Sequence, residues 1–135
     1  MNQRILRLLL TSIGVSGIVL SIYLLLITSD NSTSCDFNAL FSCSSVLSSS
    51  YSKLMDIPVA SFGLMWFIGA SILSVLSFKV SIKRIFFLSW SIVSLLGIFY
   101  FVYAEYLVGA ICLLCTTAHV LGLSFLGLSF FYRES

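Results

Sequence analysis

Four stretches of 20 or more residues carry no Asp, Glu, Lys or Arg: Leu8 to Ser29, Ile57 to Phe78, Ile85 to Ala104 and Tyr106 to Tyr132. About 20 such residues cross the hydrocarbon core of a bilayer. Every backbone N–H and C=O inside that core must be satisfied within the protein, so each stretch reads as a helix. A membrane barrel would need alternating polarity, and these runs do not alternate. The four occupy most of a 135-residue chain, leaving no room for a separate soluble catalytic domain. Composition points the same way, with 59% hydrophobic and 9% charged residues, against about a quarter charged in a soluble domain. A net charge of +2 is no nucleic-acid footprint, so no nucleic-acid partner is expected. The expected fold class is therefore all-α: an integral membrane four-helix bundle, one domain over 1–135. Its spans fall at about 8–29, 57–78, 85–104 and 108–131, the last run being longer than one crossing requires.

Arg4 and Arg7 before the first stretch resemble the start of a signal peptide. Its apolar part is longer than a signal h-region and no small-x-small cleavage site follows, so it reads as a first span. The cations sort by side. Arg4, Arg7, Lys79, Lys83, Arg84 and Arg133 lie on one side and Lys53 alone on the other. By the positive-inside rule this is a multi-pass cell-membrane protein with both termini cytoplasmic. The Ser-rich loop from Asp30 to Asp56 is then extracytoplasmic, and its Ser44 to Tyr51 part is expected to form a short helix over the bundle. Glu105 alone separates the last two runs, which predicts a tight helical hairpin turning at that residue. Glu105 and Asp36 are expected to be solvated surface charges. Trp66, Trp90, Phe99, Tyr100, Phe101 and Tyr103 are expected at the membrane interface and in helix packing.

The four cysteines form two pairs, Cys35 with Cys43 in the outer loop, and Cys112 with Cys115 in a Cys-Leu-Leu-Cys run. The last span begins outside, so all four lie toward one oxidising side, where disulfides persist. Residues three apart share a helix face. The first turn of a helix favours a thiolate through its free N–H groups and macrodipole, and the thiolate is the attacking species in thiol–disulfide exchange. With about 1.5 Å rise per residue, Cys115 lies roughly 4.5 Å deeper than Cys112. Cys112 is thus placed to meet the outer loop and Cys115 to meet something dissolved in the membrane. Three chemistries use such a set: a redox relay, two structural disulfides, or a four-thiolate zinc site. Zinc would here lack other polar support, and no metal is expected.

These residues resemble the vitamin K epoxide reductase family. The resemblance rests on Cys35-Asp36, on Cys43-Ser44-Ser45-Val46 with Ser49, on Ile57-Pro58-Val59-Ala60-Ser61-Phe62-Gly63, and on Cys112-Leu113-Leu114-Cys115-Thr116-Thr117. It implies a four-helix bundle holding a quinone of ubiquinone or menaquinone type as substrate. It also implies a shuttle pair, Cys35 and Cys43, an active-site pair, Cys112 and Cys115, and a loop serine near the active site, Ser49. Prokaryotic members oxidise a thioredoxin-fold partner and reduce a membrane quinone, which supports disulfide formation. This chain departs from the animal pattern with His119 in place of a Tyr and Val59 in place of an Asn, both hydrogen-bonding positions for the vitamin. It also lacks the fused thioredoxin-like domain of some bacterial members, which implies a separate electron donor.

The expected activity is that of a quinone-dependent thiol–disulfide oxidoreductase, in contact with membrane lipid, a membrane quinone and a thioredoxin-fold donor. By this reading Cys43 attacks Cys112, Cys35 resolves the mixed disulfide, and Cys115 faces the quinone. His119 stands at i+4 from Cys115 on the same helix face. It is the candidate polar group beside the quinone, an ionisable residue within a span being a functional candidate by default; the bland role for it is a histidine hydrogen-bonded between helices for packing. Two alternatives stand beside the relay: a non-catalytic four-helix protein with structural disulfides, and a vitamin K epoxide or quinone reductase running on other thiols.

Overall fold

The computed structural model describes residues 1–30 and 35–134; residues 31–34 of the expected outer loop lie outside the described residues. Its long helices are α1 (Gln3–Asp30), α3 (Val59–Leu76), α4 (Arg84–Val108) and α5 (Leu113–Ser129), with a short α2 (Cys43–Leu47) in the loop. Three of them, over Gln3–Ser29, Val59–Leu76 and Arg84–Val108, are long and apolar enough to cross a membrane. The fourth, α5, is equally apolar but shorter, at 17 residues. Large apolar side chains such as Leu8, Val19, Leu96 and Phe99 point outward, the pattern of a surface solvated by lipid. The chain is a multi-pass helical membrane protein.

Helix α1 packs along α3 and α5, and α4 packs along α5, whereas α3 and α4 touch at only a few positions. Small residues let α1 and α3 approach closely: a Cβ added at Gly14 would collide with Ser71, and one at Gly17 with the Phe67 ring. Buried side chains gather in two groups. Leu6, Leu10, Ala70, Phe87, Phe125 and Tyr132 fill the bundle toward the chain termini. At the other end Leu24, Ile27, Val46 and Ala110 surround all four cysteines. The terminal end is tied by Gln3, whose amide donates to the Phe131 carbonyl at 3.2 Å and accepts from the Arg133 N–H at 3.0 Å.

The structure corrects the expected outline in several places. The second span begins two residues late, because Ile57–Pro58 (β2) pair antiparallel with Lys53–Leu54 (β1). This small hairpin was not expected of an all-α chain. Its turn residues Met55 and Asp56 both take positive φ, 54° and 62°, as a type I′ hairpin turn requires. The loop helix covers Cys43–Leu47, and a single 3₁₀ turn over Ser50–Ser52 follows it, rather than one helix reaching Tyr51. Most consequentially, α4 does not stop at Glu105. It runs on to Val108 and ends at Gly109 with φ 75°, in the left-handed conformation of a helix C-cap. The hairpin turn is therefore 109–112, and α5 starts at Leu113 with Cys112 as its N-cap.

Candidate active site

The loop is shaped first by its own polar side chains. Ser42 is the N-cap of α2 and accepts from the Ser45 N–H at 3.2 Å. Asp36 accepts from the Ser44 hydroxyl at 2.6 Å, the Ser44 N–H at 3.0 Å and the Ser42 hydroxyl at 3.1 Å. These bonds, the Ser44 hydroxyl first, hold the Asp36 carboxyl below its ordinary range. Asp36 is exposed as expected, but it is not merely a solvated charge: it fastens the start of α2, where Cys43 stands. Cys35 and Cys43 are joined in a disulfide with their Cα atoms 5.6 Å apart.

The loop is then registered against the α4–α5 turn by backbone. The Ile111 N–H donates to the Leu40 carbonyl at 2.6 Å, and the Ser42 N–H donates to the Ile111 carbonyl at 3.1 Å, forming a parallel bridge between Phe41 and Ile111. Cys43 and Cys112 immediately follow the bridged segments, and their sulfurs lie 3.2 Å apart, both buried. Cys112 and Cys115 are free thiols. The Cys112 sulfur also accepts from the Cys115 N–H at 3.3 Å, so it occupies the place a Ser or Asp oxygen takes at a helix N-cap.

Cys35, Cys43 and Cys112 hold their sulfurs within 4.8 Å of one another. Two of the three are bonded to each other and offer no thiolate to a metal in this state, and Cys115 stands outside the group. The donor set fits thiol–disulfide exchange better than zinc.

Beneath the cysteines lies a cavity of about 280 Å³ with an almost wholly apolar lining. Phe62, Gly63 and Trp66 of α3 face Gly97 and Phe101 of α4, and Cys115 and His119 of α5 border the same space. Of the two cysteines of the Cys-Leu-Leu-Cys run, Cys115 lines the cavity and Cys112 does not. His119 is half-buried, with its ring 5.4 Å from that of Phe101. None of the described residues hydrogen-bonds its imidazole, whose contact with α4 is the one to the Phe101 ring. Ser49 is placed elsewhere: its hydroxyl donates to the Val46 carbonyl at 2.6 Å at the end of α2, and it is not part of the cavity wall.

The aromatic residues divide. Phe99 and Tyr103 face outward, the Tyr100 hydroxyl donates to the Tyr51 carbonyl at 3.2 Å, and Trp66 and Trp90 turn toward each other. Trp66 Nε1 donates to the Trp90 carbonyl at 2.9 Å and Trp90 Nε1 to the Trp66 carbonyl at 3.1 Å.

Glu105 is the residue the sequence reading misplaced. Its side chain is 9% exposed, and Oε1 accepts from the buried Cys112 N–H at 3.2 Å. A signal was available: an acidic residue beside a span is costly unless it has a partner, and this one stands seven residues before Cys112, across a glycine.

The family described as the vitamin K epoxide reductase family has a model that matches residues 8–130, taking in both cysteine pairs, the hairpin, all of α3, α4 and α5, and α1 from Leu8 onward. No curated protein sequence matches the chain significantly.

Proposed function

This chain belongs to the vitamin K epoxide reductase family, and on that premise we propose that it carries electrons from an extracytoplasmic thioredoxin-fold protein to a membrane quinone, so that disulfides form in the donor's substrates. A reduced donor attacks the Cys35–Cys43 disulfide. Cys35 is the sulfur to attack, since it is 8% exposed and Cys43 only 1%. Cys43 leaves as a thiolate, and the donor's second thiol releases Cys35. The Cys43 thiolate then attacks Cys112 of an oxidised Cys112–Cys115 pair, and Cys115 departs with the electron pair. Cys35 attacks Cys43, which closes the loop disulfide and frees Cys112. The quinone takes two electrons and two protons from the dithiol, and Cys112–Cys115 closes again.

The observation that carries this reading is the 3.2 Å contact between the Cys43 and Cys112 sulfurs, three residues before Cys115, which with His119 borders an apolar cavity. The cavity lies near the lower end of ligand-pocket volumes, which suits the ring of a quinone with its tail left in lipid. Two structural disulfides fit less well, because Cys112 and Cys115 are both free while Cys35 and Cys43 are joined.

The test is purified protein mixed with a reduced thioredoxin-fold donor and, in turn, ubiquinone, menaquinone and vitamin K epoxide, with absorbance followed over time. Donor-dependent loss of quinone absorbance is expected. Turnover of the epoxide with small thiols alone would instead favour the reductase reading. Inertness toward all three, with disulfides that resist mild reductant, would favour a structural role.

A further inference from the structure

We propose that Glu105 is a positioning residue for electron transfer between the two cysteine pairs, holding Cys112 in register with Cys43 through the Cys112 backbone amide. This deepens the relay proposed above and rests on it. Glu105 closes the α4–α5 turn twice. Its main-chain carbonyl accepts from the Gly109 N–H at 2.9 Å, and its carboxylate reaches over the same turn to the Cys112 N–H at 3.2 Å.

The second bond bears on chemistry because Cys112 has no other freedom left. Its sulfur faces Cys43 and accepts from the Cys115 N–H. Its carbonyl accepts from the Thr116 N–H at 2.9 Å. Its own N–H, in a residue with no exposed surface, finds its acceptor in Glu105. Remove that acceptor and a buried N–H is left unsatisfied. The turn relieves this by rotating the amide toward water, and the sulfur attached to the same residue moves with it. Attack by one sulfur on another depends on distance and line of approach, and small misplacements at a reacting atom cost large factors in rate. The function sits in the acceptor and its reach, not in the negative charge, so glutamine can supply it and aspartate, one methylene shorter, cannot.

The experiment uses full-length protein carrying Cys35→Ser, in which Cys43 attacks oxidised Cys112–Cys115 and the mixed disulfide persists. The rate of Cys43–Cys112 formation is followed by alkylation and peptide mass mapping, with helix content read by circular dichroism on the same samples. Glu105→Ala and Glu105→Asp are each expected to slow formation about tenfold at unchanged helix content, while Glu105→Gln stays within about twofold of Glu105. If Glu105→Ala does not fold, the Asp and Gln variants decide the matter alone. Equal rates in all variants, or a Gln variant as slow as Asp, would overturn the assignment. Failure of Cys43–Cys112 to form with Glu105 intact would overturn the relay itself, and this inference with it. That result is separable, because the first leaves exchange running and the second shows none.

Discussion

Cys112 faces three ways at once: its sulfur toward Cys43, its N–H toward Glu105, its carbonyl into the first turn of α5. Because the loop meets this sulfur and not the deeper one, Cys35→Ser is expected to accumulate a Cys43–Cys112 disulfide with Cys115 left as a free thiol. Alkylation and mass mapping read the pairing directly, and a closed Cys112–Cys115 pair beside a free Cys43 would reverse the assigned order of transfer. At His119, Ala is expected to slow quinone reduction by about a hundredfold or more, the scale of a lost proton-transfer group, while exchange between the cysteine pairs continues. His119→Tyr should retain more activity than His119→Ala. An unchanged quinone rate in His119→Ala would return the residue to packing. The cysteines and His119 were legible as a set because spacing along one helix places Cys115 and His119 on a common face. Glu105 was read as a solvated charge, although the cost of an acid beside a span was a signal that it has a partner; which backbone N–H it would meet depends on where the α4–α5 turn falls, and Gly109 alone sets that. Ser49 shows the converse: a loop serine has many local backbone acceptors, and here it finds the Val46 carbonyl.

Element by element, the long helices follow from length and absence of charge, which the bilayer makes decisive. The boundaries do not follow, because they are set by single residues. Gly109 ends α4 where the left-handed region is free to it, and the acid at Glu105 marks no end at all. The β1–β2 ladder was invisible, since two residues per strand carry no period and Met55 and Asp56 give no Asn-Gly signal for the positive φ they adopt. Pairing between α3 and α4 was equally hidden. These helices meet at few places, and one of them is the reciprocal Trp66–Trp90 pair, with rings stacked 6.5 Å apart and Gly69 keeping clear the space that the Trp90 ring fills. Trp90→Phe removes one of the two interhelical hydrogen bonds and part of that contact. It is expected to cost about 1 kcal/mol, the scale of such bonds in membranes, measured by reversible denaturation in mixed micelles; no loss would mean that α3 and α4 are held by other contacts.

For the molecule as a whole, the cation distribution proposes which way round the bundle sits. A cysteine introduced at Ser50 in a cysteine-free chain is expected to react with an impermeant thiol reagent in intact cells, and one at Ser81 only after permeabilisation. The opposite pattern would invert the orientation and place the redox chemistry on the cytoplasmic side. The unequal helices add a consequence of their own. At 17 residues, α5 spans about 25 Å, less than the roughly 30 Å of an average hydrocarbon core, while α1 and α4 exceed it. On the proposed topology, helices of unequal length favour thinner lipid around the shortest, or a sunken outer end for it. That end carries the Cys-x-x-Cys run. If the proposed relay holds, acyl-chain length would set how deep these sulfurs lie below the headgroups, and membrane thickness would govern how readily a water-borne donor and a lipid-borne acceptor are served by the same four cysteines.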